Sequence, residues 1–281
     1  MGRVLALLLG AGIASLGTSA LAQPNACTLE EAAGFTEPST VAEVAAREPG
    51  IVAKVLVEDG DQVKSGQILA ELDKRLAQAE LDAARARAQS DGQMAVAQAK
   101  LDQAKRRMDE IAKLQTSRAV RPLELMTTQA ELAIAEAEFQ SAQDARRVAT
   151  IDADVARAKL DLLEVRAPFD GVVKEVHRKV SELVGMGGDA RVVTMFELDP
   201  LYVDFFVPVG CVGNATSKGS RLSVHLARLD QTLQAVVRTL DPSIDAPTGM
   251  RRIKLEIANA DYALLSGERL TLTLPIGVLE R

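Results

Sequence analysis

The pattern of apolar and polar residues changes twice along the chain. In residues 40–73, short apolar runs such as Ile51 and Val52 alternate with turn residues such as Asp59 and Gly60, which is typical of β-strands. In residues 74–162, Ala, Gln, Lys and Arg dominate and apolar residues recur every seven positions, as in helices. The β pattern returns after Leu163. We therefore predict an α+β protein in which a helical segment interrupts a β domain.

Heptad spacing divides the helical segment into two arms. The first arm, to about Gln115, has two seam positions, filled by Met94, Leu101 and Met108 and by Ala97, Ala104 and Ile111. The second arm begins near Pro122, which suits a first helical turn. Its predicted seam residues are Leu125, Leu132 and Phe139 and, after a shift of phase, Val148, Val155 and Leu162. The arms should form an antiparallel coiled-coil hairpin, each about 60 Å long at the usual helical rise.

The flanking segments complete the predicted domain order. Residues 23–39 carry Pro24, Gly34 and Pro38 and little periodicity, so we expect an irregular lead. Short alternating strands with Gly, Pro and Asp turns in residues 192–276 predict a small β-barrel. The expected order is a signal (1–22), the lead (23–39), a first β half (40–73), the hairpin (74–162), a second β half (163–191), the barrel (192–276) and a tail (277–281).

Composition narrows the function classes. Aromatic residues make up 3% of the 281 residues and Trp is absent, which favours thin, elongated parts over one large core. The net charge of -6 gives no reason to propose nucleic acid as a partner. The only histidines, His177 and His225, lie in separate β segments without zinc-site spacing. We predict no enzyme activity, no metal site and no cofactor.

The N-terminal residues resemble an export signal. Arg3 precedes an apolar stretch, residues 4–17, and Ala20, Leu21 and Ala22 form a small-x-small cleavage pattern before Gln23. The stretch is shorter than the roughly 20 residues of a comfortable membrane span. We therefore expect cleavage between Ala22 and Gln23 and a mature protein that is soluble outside the cytoplasm. Retention of the segment as an anchor is the alternative.

Export also bears on the two cysteines, Cys27 and Cys211. A cysteine pair in an oxidising compartment can form a disulfide bond. The alternative is two unrelated small buried residues. Such a bond would tie the lead to the barrel.

Several motifs in order carry a family resemblance. The sequences PGIV at 49–52 and DGDQVKSGQIL at 59–69 resemble one half of a lipoyl or biotinyl domain, and RAPFDGVV at 166–173 resembles the other half. The sequences LDPLYV at 198–203, LDPSID at 240–245 and NAD at 259–261 resemble the barrel domain of HlyD-type membrane-fusion proteins. The whole order resembles that family, the periplasmic adaptors of tripartite pumps.

The resemblance implies a fold and a function. The fold would be a split lipoyl-like domain, interrupted by a coiled-coil hairpin and followed by a small β-barrel. The function would be to link an inner-membrane transporter, of RND or ABC type, to an outer-membrane exit duct, as a ring of identical copies in the periplasm, peripheral to the inner membrane. Three features depart from the family pattern. Ser266 replaces a frequent Pro, a further membrane-proximal domain after the barrel is expected to be missing or vestigial, and the hairpin tip differs.

The hairpin tip is the candidate partner-docking site. The seam pattern stops near Gln115, so side chains beyond it add little to folding. The predicted docking residues are Leu114, Thr116, Ser117, Arg118 and Arg121. The Arg, Leu and Ser pattern common at adaptor tips aligns with Glu110, Leu114 and Arg121, so only the Leu is kept. The alternative for the tip is a solvated turn.

Two other functions compete with the adaptor. Lys74 follows Glu71, Leu72 and Asp73 at the place where a lipoyl or biotinyl carrier presents its modified lysine. A helix is predicted to begin there, whereas a carrier needs its lysine on an exposed tight turn. A passive periplasmic coiled-coil scaffold is the other alternative, although it leaves the β halves and the barrel unexplained.

Overall fold

A computed structural model of the chain describes residues 31–115, 121–185, 189–212 and 216–273. In these ranges the predicted α+β class is confirmed. The helices are α1 (Arg75–Ala88), α2 (Gly92–Gln115) and α3 (Pro122–Asp161). The strands are β1 (Glu31–Ala45), β2 (Gly50–Val55), β3 (Gln62–Val63), β4 (Ile68–Leu72), β5 (Glu164–Arg166), β6 (Gly171–Val176), β7 (Leu183–Val184), β8 (Arg191–Pro208), β9 (Arg221–Leu226), β10 (Gln231–Leu240), β11 (Met250–Ile257) and β12 (Arg269–Thr273).

The chain divides into two compact units. One comprises the described parts of Met1–Glu37, Tyr202–Ala258 and Leu264–Arg281, and the other comprises Pro38–Leu201 and Asn259–Ala263. The barrel was predicted to begin at residue 192, yet the division falls ten residues later. The reason is that β8 is a single long strand whose first part, with Val192, Val193 and Met195, is buried in the core of the second unit.

The first unit is a β-barrel. Its strands are hydrogen-bonded in the order β1-β12-β9-β10-β11-β8, and β1 also pairs with β8, which closes the sheet. Alternate residues point inward, as the predicted strand pattern requires: Val203, Phe205 and Val207 of β8 are fully buried, whereas Phe206 is exposed.

Strand β1 corrects the prediction of an irregular lead. Residues 23–30 lie outside the described range, but from Glu31 onward the chain is a strand paired with β12. Its inward residues are Ala32, Gly34 and Thr36. These residues are small or polar, so the alternation leaves no hydrophobic signal. Gly34 is required by space, since an added Cβ would lie 2.7 Å from the carbonyl oxygen of Asp204.

The second unit contains a β-sandwich whose core is shared by two distant segments. One sheet has the order β5-β4-β2-β7, and β3, β6 and the start of β8 pair opposite. The buried cluster joins Val52, Leu69 and Leu72, before the helices, to Val165 and Val173, after them. Neither segment has a complete core of its own, so each half depends on the other for burial of its apolar residues.

Two Asp-Gly turns fasten these halves reciprocally. The Asp59 carboxylate in the first half accepts a hydrogen bond from the backbone N–H of Val176 at 2.7 Å. The Asp170 carboxylate in the second half accepts one from the backbone N–H of Ser65 at 2.7 Å. The repeated Asp-Gly pair in the sequence was the signal for this arrangement.

The helices form an antiparallel hairpin. Helices α1 and α2 both pack on α3, and ion pairs join Lys100 to Glu138 at 2.7 Å and Arg107 to Glu131 at 3.3 Å. From Lys100 to Arg107 the chain advances along α2, while the paired residue in α3 moves back from Glu138 to Glu131. The two helices are therefore antiparallel. The first arm was predicted to be continuous, but it is interrupted between α1 and α2 at Ser90 and Asp91, residue types that compete with helical hydrogen bonding.

The predicted seam is confirmed in α2 and in the first half of α3. Ala97, Leu101 and Ile111 are buried, and the other predicted α2 positions are half-buried. In α3, Leu125, Leu132 and Phe139 are half-buried, and Thr128 and Ala135 complete the seam.

The predicted phase shift in α3 is wrong. Val148 and Val155 are 56% and 50% exposed. The seam keeps its original phase through Ala149, Ala153 and Ala156, of which Ala153 is buried and the other two are half-buried. Alanine allows close approach of the helices, so the packed face here is the less hydrophobic one.

This assignment predicts opposite responses to truncation. Leu101→Ala should lower the free energy of unfolding by about 2–4 kcal/mol, because it removes a buried side chain and leaves a cavity. Val148→Ala should change it by less than about 0.5 kcal/mol, because the side chain is exposed. Urea denaturation followed by circular dichroism measures both values. Equal losses in the two variants would contradict the seam.

Candidate functional site

Three charged side chains meet where the hairpin joins the sandwich. Lys74 directly precedes α1, and its Nζ lies 2.8 Å from Glu71 Oε1 on β4 and 3.1 Å from Glu164 Oε1 on β5. Arg166 also pairs with Glu164. Alongside them, the backbone N–H of Leu72 donates to the carbonyl of Leu163 at 2.9 Å. The start and the end of the hairpin are therefore fixed to each other; we call Glu71, Lys74 and Glu164 the base cluster.

The two carboxylates of the base cluster are largely shielded from solvent. The side chains of Glu71 and Glu164 are only 14% and 13% exposed. The hydrogen bond from Lys74 lowers the pKa of Glu71 below its ordinary 4.5, against the opposing effect of desolvation. The same hydrogen bond raises the pKa of Lys74 above 10.5. Glu71 and Lys74 are therefore both charged at neutral pH. Sequence reasoning singled out Lys74 but missed Glu164, which is ninety positions away.

A second ion pair follows at the first turn of α1. The side chain of Arg75 donates to Asp73, with Nη2 at 2.6 Å from Oδ2. This contact lowers the pKa of Asp73 to about 2. Asp73 also accepts the backbone N–H of Arg75 at 3.1 Å, so it satisfies a free donor at the start of the helix.

The predicted tip residues are only partly described. Leu114, in the last turn of α2, is 51% exposed. Arg121 directly precedes α3 in an extended conformation and is exposed. Thr116, Ser117 and Arg118 lie outside the described residues. Docking at the tip stays a prediction.

The histidines occupy ordinary positions. His177 Nε2 lies 2.7 Å from Thr194 Oγ1, and His225 lies 3.6 Å from Asp230 on the barrel. In the described ranges, no group of three or more His, Cys, Asp or Glu side chains is arranged to hold a metal ion. Among the helices of those ranges, none combines the length and the apolar character that a membrane crossing requires. Ala22 and Gln23 lie outside the described residues, so signal cleavage stays a prediction.

The predicted disulfide is also only partly described. Cys211 ends a 3₁₀ turn, Val209–Cys211, and is disulfide-bonded. Cys27 lies outside the described residues, so its pairing with Cys211 stays a prediction.

We expect no reactive thiol in the denatured, unreduced protein and two after reduction. Removing the bond should cost about 4 kcal/mol or more in the chain-entropy model. Two thiols before reduction would contradict the pairing.

The base cluster predicts a pH-dependent loss of stability in Glu71→Gln. The lowered pKa means that the charged form of Glu71 stabilises the fold fully above pH 4.5, and that this contribution disappears as the pH falls through the folded-state pKa. Glu71→Gln should therefore cost about 1–2 kcal/mol at pH 7 and progressively less below pH 4.5. Glu58→Gln, at an exposed position, is the control. A loss of unfolding free energy that does not change with pH would contradict the ion pair between Glu71 and Lys74.

Comparison with known proteins places this arrangement in a family. Residues 40–196, more than half of the chain, match the family described as "RND MFP, barrel-sandwich hybrid domain". That range contains the sandwich halves and the hairpin between them. The chain belongs to the membrane-fusion-protein family, as the order of its sequence motifs predicted.

Two curated relatives are multidrug resistance proteins by name. The chain is 29% identical over 266 residues to multidrug resistance protein MdtA of Klebsiella pneumoniae, covering 89% of this chain and 61% of the relative. It is 25% identical over 254 residues to MdtA of Photorhabdus laumondii, covering 88% and 60%. The chain thus spans about three fifths of the length of these relatives.

Solved structures share the fold. MacA from Actinobacillus actinomycetemcomitans superimposes with a TM-score of 0.69 at 20% identity, covering 87% of this chain and 78% of MacA. The membrane fusion protein Spr0693 from Streptococcus pneumoniae R6 gives 0.57 at 19% identity, covering 88% and 99%.

Proposed function

We propose that this chain is a periplasmic adaptor that links an inner-membrane transporter to an outer-membrane exit duct in a tripartite efflux or secretion system. It acts as a ring of identical copies, peripheral to the inner membrane. The observation that carries the proposal is the match of residues 40–196 to the membrane-fusion-protein family, together with a helical hairpin inserted between two halves of one sandwich.

The parts of the chain suit such a role. The sandwich halves are lipoyl-like modules, the sandwich and the barrel each supply a collar of the ring, and the hairpin is a coiled coil that extends from the sandwich. Helix α3 has 40 residues, which gives a length of about 60 Å. Because the base cluster fixes both ends of the hairpin, a movement of the collar is passed to the hairpin instead of being absorbed at the junction.

Two observations support a drug-exporting system of RND type, the first for the transporter and the second for the substrate. The matched family carries RND in its description. The relatives from Klebsiella and Photorhabdus are named for multidrug resistance. The substrate of this chain would then be a small toxic compound, and the adaptor itself would perform no covalent chemistry.

A carrier modified at Lys74 is disfavoured by the contacts of that residue. Its ammonium group is held by Glu71 and Glu164, and its side chain is one third exposed. Acylation by a lipoyl or biotinyl group would remove the charge and leave two carboxylates facing each other across a poorly hydrated junction. An intact mass equal to that of the unmodified mature chain would exclude the carrier.

The adaptor proposal predicts a selective effect at the tip. Arg118→Glu combined with Arg121→Glu should abolish co-purification of the outer-membrane duct and reduce transport, because two guanidinium groups suit carboxylates or carbonyls on a partner. Co-purification of the inner-membrane transporter should remain. The thermal midpoint should change little, because neither arginine belongs to the predicted seam and substitutions outside a packed core usually cost within about 0.5 kcal/mol.

The matched control is Lys105→Glu combined with Arg106→Glu, an equal charge change on exposed residues of α2 away from the tip. It should leave both partners bound. If the tip variant retains the duct, the tip is a solvated turn. If the wild-type chain recovers neither membrane partner from crosslinked cells, it is a passive scaffold and the adaptor proposal is wrong.

A further inference from the structure

We draw no further inference here: the strongest candidate, the exposed apolar face of α3 formed by Val148, Ile151 and Val155, carries none because nothing in the described part of the structure shows what covers it.

Discussion

The fold depends on one shared hydrophobic core. Val52, Leu69 and Leu72 belong to a segment that ends before the hairpin, and Val165 and Val173 belong to a segment that begins after it. Neither set is buried without the other, so the sandwich forms only when residues 73–164 leave and return at the same place. The burial of this hydrophobic core therefore anchors the hairpin at both ends.

Polar contacts fix the positions of the two sandwich halves and of the helices more closely than the core does. Asp59 and Asp170 each accept a backbone hydrogen bond from the opposite half, which fixes the relative position of the two halves. The base cluster then sets where the helices begin, because Lys74 is held by one carboxylate from each half. A lysine at the place where a carrier would present its modified residue serves here as a structural cation between two strands.

These features suit a protein that works through shape. Family membership and the shared fold support an adaptor, and the charged groups described in detail are engaged in holding the hairpin to the sandwich. In the second half of α3, Val148 and Val155 face outward, and Ala149 and Ala153 face inward. The face that packs within the chain is therefore not the face that carries the large apolar residues.

Local signals predicted much of this protein from its sequence. The Asp-Gly turns, the seam through Leu101 and Ile111 and the strand alternation around Phe205 depend on neighbouring residues, so a linear pattern reveals them. Tertiary structure alone decided three other features. These are the strand at Ala32 and Gly34, the pairing of Lys74 with Glu164, and the outward direction of Val148 and Val155. The physical reason is that hydrophobicity ranks residues by their transfer from water, whereas burial depends on how closely the opposing element approaches, and a close approach selects alanine and glycine.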